Sequence, residues 1–336
     1  MNLTSMPKVE LHLHLEGSAR LSTFREALHR HAGMDLPETP QWLEPDFRFG
    51  SFEEFRQLFR DYLTPWLSAP TGYGELIQDV VDLLISQNIR YAEVNFCPNV
   101  FKRVDAHPPD VLDLLHEGAS RAAWEGTVVK WIAGLNREEG LEETAGWIKK
   151  LLPEPIVAGF DLHGNEPDWS PSMFTEVLAP VLDAGKKLKI HAGETVGPES
   201  IRAAVEVVGA TQIGHGVTAV EDPAVVDLLR ERGTVVEMCP TSNERLRNVP
   251  SYADHPILEL ESRGVTVTVN SDDSLFVGST LTDEMFRLMA ERGAMVDDLI
   301  RWTRNGLEVA ILEEAERENI LSDLQQWKDE ARTWRI

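Results

Sequence analysis

The sequence predicts a TIM (β/α)8 barrel, an α/β fold in which eight parallel strands alternate with helices in one domain. Short apolar runs recur along the 336 residues, and each is followed by a segment whose apolar residues have helical spacing. Eight of these runs qualify as strands. No repeat, low-complexity tract or Gly/Ser linker marks a domain boundary, and barrels of this kind routinely reach this length. We therefore expect residues 1–336 to form a single barrel domain.

The predicted strands share the apolar character of buried parallel strands. They span Lys8–His14, Arg90–Phe96, Thr127–Asn136, Ile156–Leu162, Lys187–His191, Thr211–His215, Thr234–Cys239 and Val265–Asn270. Predicted crossover helices include Asp110–Trp124, Leu141–Leu151, Ser200–Val208, Asp222–Glu231 and His255–Arg263. After the last strand, extra C-terminal helices are predicted over Thr280–Arg292, Val296–Glu318 and Ser322–Trp334. In such a barrel the carboxyl ends of the strands meet at one rim, where the active site is built.

The connection between the first two strands is too long for a simple crossover. It is a helical insertion over about residues 18–88, with helices predicted at Leu21–His31, Ser51–Leu67 and Gly74–Ser86. Because it leaves from the carboxyl end of the first strand, we expect it to form a lid over the rim. Four of its aromatic residues either line an apolar pocket or belong to the core, and helical spacing favours the core: Phe52, Phe55, Phe59 and Trp66.

Composition limits the partners and the compartment. Lys and Arg number 32 against 56 Asp and Glu, and the net charge of −24 disfavours nucleic acid or an anionic membrane as a partner. The two cysteines, Cys97 and Cys239, are too few and too far apart for a disulfide framework or a Cys-x-x-Cys zinc site. The start lacks an apolar core of signal-peptide length, and no segment has 18 uninterrupted apolar residues. We expect a cytoplasmic protein and leave its oligomeric state open.

Two histidines of the first strand, His12 and His14, lie two residues apart and therefore on the same face of that strand. Polar side chains also follow strands five, six and eight: His191, Glu194, His215, Asp272 and Asp273. Three imidazoles and one carboxylate suit a zinc ion that keeps an open coordination position, as a catalytic zinc does. We predict that His12, His14, His191 and Asp272 bind one zinc per chain, which leaves Glu194, His215 and Asp273 on the rim for acid–base work.

Five motifs, taken in chain order, resemble those of the adenosine deaminase family of metal-dependent barrel hydrolases. They are Pro-Lys-Val-Glu-Leu-His-Leu-His-Leu-Glu-Gly, His-Ala-Gly-Glu, Ile-Gly-His-Gly, Cys-Pro-Thr-Ser-Asn and Asn-Ser-Asp-Asp. The resemblance covers essentially the whole chain. It implies zinc-dependent hydrolytic deamination of a 6-aminopurine nucleoside, with adenosine giving inosine and ammonia, and a small purine as the partner of the site.

The resemblance also assigns roles to single residues. It implies that Glu194 faces purine N1, that His215 handles the attacking water and takes its proton, and that Asp273 contacts N7. Gly164 stands where the family offers a backbone N–H to N3. For Glu194 to donate to N1 its pKa must be raised, which an apolar rim and the neighbouring Asp272–Asp273 pair would do.

Three alternatives stay open. Glu16 stands where adenosine-specific relatives usually have an Asp that reaches the ribose 5′-hydroxyl, so deamination of adenine or of another 6-aminopurine is the first alternative. Against it, the turn after strand four, Gly164-Asn165-Glu166, matches the nucleoside type. The second alternative is a metal phosphoesterase, which the acidic composition disfavours. The third is a non-catalytic relative, which the intact set of acid, base and ligand residues disfavours.

The segment that begins at Cys239 is expected to be a structural turn.

Overall fold

The computed structural model describes residues 2–68, 70–99, 102 and 108–331. Its centre is a parallel sheet of eight strands paired in chain order. The strands are β1 Lys8–His14, β2 Ile89–Phe96, β3 Val128–Asn136, β4 Val157–His163, β5 Lys187–Ala192, β6 Gln212–His215, β7 Val235–Met238 and β8 Thr266–Val269. The predicted barrel is confirmed, and each end of each strand lies within one residue of its predicted position.

The barrel closes between β8 and β1 through the residues that follow β8. The backbone N–H of His14 donates to the carbonyl of Asp272 at 3.0 Å, and the N–H of Asp272 donates to the carbonyl of His12 at 2.9 Å. Below this pair, the side-chain oxygen of Asn270 accepts from the N–H of Leu11 at 2.9 Å, in place of a backbone carbonyl. Closure of the sheet therefore holds Asp272 beside His12 and His14.

Helices surround the barrel and extend it at both ends. Within the described residues they are α1 Leu21–Ala32, α2 Phe52–Leu58, α3 Thr64–Leu67, α4 Pro70–Ser86, α5 Pro108–Trp124, α6 Gly140–Leu151, α7 Thr175–Asp183, α8 Pro198–Arg202, α9 Pro223–Arg232, α10 Pro240–Arg245, α11 Ile257–Ser262, α12 Ser274–Val277, α13 Leu281–Arg292, α14 Val296–Val309 and α15 Glu314–Ala331. None of them is long and apolar enough to cross a membrane.

The prediction for the C-terminal helices is wrong in its boundaries. Instead of one helix over Val296–Glu318 and another from Ser322, α14 ends at Val309 and α15 runs through both predicted segments. The break occurs because Ala310 has an extended backbone, with ψ of 140°, and the next N–H, that of Ile311, donates to the hydroxyl of Tyr91 at 3.0 Å. The predicted end at Trp334 lies outside the described residues.

The insertion between β1 and β2 places an aromatic cluster over the carboxyl end of the barrel. Helix α2 begins at the cap Ser51, whose hydroxyl accepts from the N–H of Glu54 at 3.1 Å, and a π-helical segment, Phe59–Leu63, joins it to α3. The ring of Phe59 lies 4.8 Å, between centroids, from that of Phe276 in α12, which directly follows Asp272 and Asp273 in the chain. The segment Ser51–Leu67 is therefore packed directly over the rim, and we call it the lid segment.

Candidate active site

The four predicted metal ligands meet at the carboxyl end of the barrel. One ligand atom from each of His12, His14, His191 and Asp272 lies within 4.8 Å of all the others. The Nε2 atoms of His14 and His191 are 3.3 Å apart, and Asp272 Oδ1 lies 3.4 Å from His12 Nε2 and 3.3 Å from His14 Nε2. His12 Nε2 is buried without a hydrogen-bond partner in the described residues, as expected of a nitrogen that faces a cation site.

Carboxylates behind the cluster orient two of the imidazoles. His12 Nδ1 lies 3.2 Å from Glu237 Oε2, and His191 Nδ1 lies 3.0 Å from Asp161 Oδ1. With each Nδ1–H directed at a carboxylate, each Nε2 presents its lone pair to the cluster, which is the arrangement that a metal ligand needs. Burial lowers the pKa of His14 to about 3 and that of His191 well below its ordinary value, and it keeps both rings neutral.

Glu237 was not found by sequence reasoning. It is fully buried in the barrel interior, and its other oxygen, Oε1, lies 2.9 Å from the ammonium of Lys189. The same Lys189 lies 2.7 Å from Glu93 Oε2. The only signal in the sequence is a carboxylate inside the apolar run Val-Val-Glu-Met of β7, where barrels usually carry an aliphatic side chain.

Two of the candidate residues have backbone conformations that side chains rarely adopt. The φ angles of His215 and Asp272 are +63° and +61°, in the left-handed region, where a residue with a Cβ is strained. Ser242 Oγ donates to Asp272 Oδ2 at 2.6 Å, and Asn243 Nδ2 lies 3.0 Å from His215 Nδ1. Both partners belong to α10, so the segment predicted as a structural turn is a short helix that holds two site residues in place.

Glu194 is presented to the cavity by a loop that another carboxylate organises. The side chain of Glu166 accepts hydrogen bonds from the backbone N–H groups of Gly193 at 2.5 Å, Glu194 at 3.1 Å and Thr195 at 2.9 Å. Asn248 Nδ2 donates to Glu194 Oε1 at 3.1 Å. Burial, followed by the charges of Asp272 and Glu166, raises the pKa of Glu194 to about 8. The predicted direction is confirmed, and at neutral pH the group holds a proton.

Asp273 is a second buried carboxyl group of the rim whose pKa is raised. Burial and the neighbouring charge of Asp272 raise its pKa well above the ordinary range. Its Oδ1 is buried and has no hydrogen-bond partner in the described residues. That oxygen approaches Gly17 so closely that a Cβ at this glycine would lie 1.7 Å from it, which explains why the chain has no side chain there.

Glu16 and Gly164 lie on the wall of the same cavity. Glu16 Oε1 accepts from the hydroxyl of Tyr73 at 3.0 Å and from the backbone N–H of Cys97 at 2.9 Å, and burial raises the pKa of this carboxyl. Gly164 has a φ of +101°, and a Cβ there would lie 2.6 Å from Asn136 Oδ1. Only glycine fits this turn, and its backbone is therefore open to a ligand.

A cavity of about 210 Å³ connects these groups with the lid segment. Every predicted site residue except His12, which lies behind the others, contributes to its wall: His14, Glu16, Gly164, His191, Glu194, His215, Asp272 and Asp273. Phe52, Phe55 and Phe59 line its outer part, so the pocket interpretation is right for these three residues. Trp66 is fully buried outside the cavity and belongs to the core.

Cys239 takes part in a second group of possible ligand atoms, with His215 and Asp272. Its thiol donates to the carbonyl of Glu237 at 3.7 Å, and burial raises its pKa well above the ordinary value. Since metals bind the thiolate and this sulfur stays protonated, the second group is a poor metal site. The structure thus favours a single metal centre at His12, His14, His191 and Asp272.

A barrel whose rim combines a His₃Asp cluster with a buried imidazole and two carboxyl groups of raised pKa has the arrangement of a metal-dependent hydrolase. The comparisons with known proteins give its family. The chain belongs to the adenosine deaminase family, whose model matches residues 7–327.

Relatives that are named for different substrates have similar sequence identity to this chain. The chain is 30% identical to the aminodeoxyfutalosine deaminase of Streptomyces avermitilis over 333 residues, which cover 97% of this chain and 92% of that protein. It is 33% identical to the adenine deaminase of Rhizobium etli over 323 residues, 95% and 99% of the two chains. The solved structure of an amidohydrolase from Burkholderia ambifaria with bound zinc shares the fold, with a TM-score of 0.87, 22% identity and coverage of 99% and 94%.

Proposed function

We propose that this protein catalyses the zinc-dependent hydrolytic deamination of a 6-aminopurine nucleoside, with adenosine and water giving inosine and ammonia. The observation that carries the proposal is the pair of buried carboxyl groups, Glu194 and Asp273, that line one cavity with the predicted metal ligands and whose pKa values are raised. A 6-aminopurine has lone pairs at N1 and N7, and both accept hydrogen bonds. In the proposed complex the protonated forms of the two carboxyl groups supply the two donors.

The remaining ring nitrogen fits the opposite wall of the cavity. Gly164 follows β4, which lies across the eight-stranded barrel from β8 and the adjoining Asp273. A purine held at N7 by Asp273 therefore directs its N3 and its sugar edge towards Gly164, whose backbone N–H is a donor. A 6-oxopurine carries hydrogen at N1 and meets a protonated Glu194 donor to donor, so the protonation state of the site favours the substrate.

The chain's own residues account for the proton movements. Glu194 gives its proton to N1 while water adds to C6, because negative charge builds up on the ring as aromaticity is lost. Nε2 of His215 and Oδ2 of Asp272 are 3.9 Å apart and face the same point, so they hold the attacking water and receive the proton that it releases. The amine then takes up the proton that the water released, the C6–N bond breaks and ammonia leaves, while the proton of the new C6 hydroxyl returns to Glu194 and leaves the 6-oxo product with hydrogen on N1.

The proposed cofactor is one zinc ion held by His12, His14, His191 and Asp272. Three imidazoles and one carboxylate are a typical donor set for zinc, and the buried Nε2 of His12 faces the cluster. When bound, zinc supplies a Lewis acid that lowers the pKa of a water molecule. The zinc bound in the Burkholderia ambifaria amidohydrolase, which has the same fold, supports this choice.

Residues 1–336 act, in this proposal, as one metal-dependent deaminase domain, with about residues 18–88 as its helical lid insertion. We place the enzyme in the cytoplasm, since neither Cys97 nor Cys239 is in a disulfide. Its partner is a small purine, and the acidic composition disfavours nucleic acid and membrane surfaces.

Free adenine is the second candidate substrate, and one observation favours it. Oε1 of Glu16 is already engaged by Tyr73 and Cys97 within the protein, so its carboxyl group is less available to a sugar than the resemblance implies. The name of the Rhizobium etli relative, adenine deaminase, supports the same candidate. The nucleoside-type turn at Gly164 favours adenosine.

A single assay tests the proposed reaction. We expect the ultraviolet absorbance of adenosine to fall when purified protein is added, and elemental analysis to give one zinc per chain. Removal of the metal with a chelator should abolish the change in absorbance, and added zinc should restore it. Two metals per chain, full activity after chelation, or no reaction with any 6-aminopurine would each contradict the proposal.

A variant of Glu16 distinguishes the two substrates. A charge-assisted hydrogen bond to the sugar is worth ~1.5–3 kcal/mol, so Glu16→Ala should lower kcat/KM for adenosine by roughly 10- to 150-fold and that for adenine far less. Glu16→Gln is the matched control, because its amide oxygen still accepts from Tyr73 and Cys97 and preserves the local packing. A wild type that prefers adenine, or a ratio of the two efficiencies that Glu16→Ala leaves unchanged, would contradict recognition of the sugar by Glu16.

A further inference from the structure

A chain of buried hydrogen bonds leads from the backbone of α11 to the imidazole of His215. The backbone N–H of Ile257 donates to His255 Nδ1 at 3.3 Å. His255 Nε2 lies 3.1 Å from Asn243 Oδ1, and Asn243 Nδ2 lies 3.0 Å from His215 Nδ1. The three side chains are at most 1% exposed. Nothing in the proposed reaction uses His255 or Asn243.

The direction of every bond in this chain follows from its first donor. A backbone N–H can only donate, so His255 Nδ1 accepts and the hydrogen of its neutral ring lies on Nε2. That Nε2–H donates to Asn243 Oδ1, and this orients the amide so that its NH₂ group donates to Nδ1 of His215. Since Nδ1 of His215 is then an acceptor, the hydrogen of the neutral His215 ring lies on Nε2.

Both histidines are neutral in this arrangement, because each offers Nδ1 as an acceptor, His255 to the N–H of Ile257 and His215 to the amide of Asn243. Burial also lowers the pKa of His255 to about 3. A doubly protonated His255 has no acceptor to offer the N–H of Ile257, so the geometry of the first bond points to the same state.

We propose that Asn243 and His255 are positioning residues of the deaminase: they fix His215 in the tautomer that carries hydrogen on Nε2, so that His215 meets the attacking water as a hydrogen-bond donor. This inference rests on the proposed function. Nε2 lies 3.8 Å from Glu194 Oε2 and 3.9 Å from Asp272 Oδ2, between the proton donor and a metal ligand. A donor at this place holds the oxygen of the water in line with C6.

The inference revises the role that the resemblance implies for His215. A base that takes the proton of water needs a free lone pair on Nε2, and the Nε2–H tautomer has none. In this arrangement the ring orients the water, and Oδ2 of Asp272 alone receives the proton that the water releases. The orientation of the ring depends on two residues outside the cavity wall.

The tautomer is measured directly by NMR on the zinc-loaded protein with ¹⁵N-labelled histidine. We expect His215 to show a protonated Nε2 and an unprotonated Nδ1 in the wild type, with the resonances assigned by loss in His215→Ala. Asn243→Asp replaces the donor at Nδ1 with a carboxylate, which accepts a hydrogen bond from Nδ1–H, so the two signals should exchange their character. A wild type with hydrogen on Nδ1, or an Asn243→Asp variant with an unchanged spectrum, would overturn the proposal.

Kinetics link the tautomer to catalysis. His255→Leu breaks the chain, whereas His255→Gln keeps an N–H that can donate to Asn243 Oδ1 and serves as the matched rescue. We expect His255→Leu and Asn243→Asp to lower kcat by roughly 10- to 100-fold with little change in KM, and His255→Gln to stay within a few-fold of the wild type. An equal loss in His255→Gln and His255→Leu, or an unchanged kcat where NMR shows the exchanged tautomer, would contradict a positioning role.

The two proposals fail in different ways. If no 6-aminopurine is deaminated, the proposed function is wrong, while the NMR spectrum still shows whether Asn243 and His255 set the tautomer. If deamination proceeds and the spectrum shows hydrogen on Nδ1, the proposed function stands and this inference falls.

Discussion

Adjacent carboxyl groups of the site differ in protonation because their nearest charges differ. Both Asp272 and Asp273 are buried, and burial alone raises the pKa of a carboxyl group. For Asp272 this effect is outweighed by the interactions with His12, whose Nε2 lies 3.4 Å from Oδ1, and with the other imidazoles around it, which hold its pKa well below the ordinary value. Asp273 faces the negative charge of Asp272 instead, and its pKa is raised. The two neighbours thus have opposite pKa shifts, as the proposed roles of Asp272 as an anionic metal ligand and of Asp273 as a neutral donor require.

In the proposed reaction Glu194 transfers its proton to N1 of the substrate, so replacement of its carboxyl group by an amide should block the reaction. Glu194→Gln keeps the shape and accepts the same hydrogen bond from Asn248, yet its amide cannot transfer a proton to N1. We expect a loss of at least about 100-fold in kcat with zinc content and melting temperature unchanged. Steady-state kinetics with elemental analysis checks this. A variant that retains more than about a tenth of the wild-type kcat would remove Glu194 as the acid.

Asp273 should respond in the opposite way, because its proposed role is to donate a hydrogen bond without losing the proton. Asp273→Asn still presents an N–H to N7 and fits the space beside Gly17, so we expect kcat/KM within about tenfold of the wild type. Asp273→Ala removes the donor and should cost roughly 10- to 100-fold. The comparison of the two variants on adenosine decides the matter. If Asn and Ala lose equally, Asp273 acts through its charge or its proton.

At the scale of elements, the rim consists of the carboxyl ends of the strands. The lid segment belongs to an insertion that takes no part in closing the barrel. The aromatic rings of the lid segment connect it to the chemistry, since Phe59 contacts Phe276 only three residues after Asp273. Helical spacing alone did not distinguish core rings from cavity rings, because one face of α2 serves both purposes: Phe55 is 5% exposed and still lines the cavity. Only the packing of the whole insertion shows this.

The lid segment should tighten when the cavity is filled. A ligand with a tetrahedral, hydroxyl-bearing C6 resembles the transition state and contacts the rings of Phe52, Phe55 and Phe59 from inside. We therefore expect amide hydrogen exchange over Ser51–Leu67 to slow on binding, measured by mass spectrometry. Helix α15, at the other end of the chain and not part of the cavity wall, is the internal control and should exchange at an unchanged rate. Unchanged exchange in Ser51–Leu67 would mean that the insertion only packs against the barrel.

At the scale of the whole molecule, the sequence predicts what local patterns encode. Runs of apolar residues located the eight strands, and polar residues at their ends located the cluster that could hold a metal ion. The partners behind these residues were missed, because His12 and Glu237 are 225 residues apart and no local pattern joins them. The same limit explains the C-terminal error, in which the break after Val309 depends on the distant hydroxyl of Tyr91. The class of function was therefore more predictable from the sequence than the long-range contacts that position the site residues.

Buried acids also tie the stability of the molecule to pH. Glu284 of α13 is 1% exposed and accepts from the N–H of Thr241 at 3.3 Å, and burial raises its pKa to about 7 from an ordinary value of 4.5. The folded protein holds this proton where the unfolded chain releases it. The free energy of unfolding therefore falls as the pH rises from about 4.5 to about 7, by on the order of 3 kcal/mol for this group.

Glu284→Gln removes this dependence, since the amide is neutral at every pH and its oxygen still accepts from Thr241. We expect the melting temperature of the variant, relative to that of the wild type, to rise by a few degrees between pH 5 and pH 8, as measured by calorimetry at equal zinc loading. Glu291→Gln is the matched control, because Glu291 is an exposed glutamate of the same helix, where it pairs with Arg287. Its difference from the wild type should be the same at both pH values. A Glu284→Gln difference that stays constant, or that falls with pH, would show that Glu284 is ionised in the folded protein.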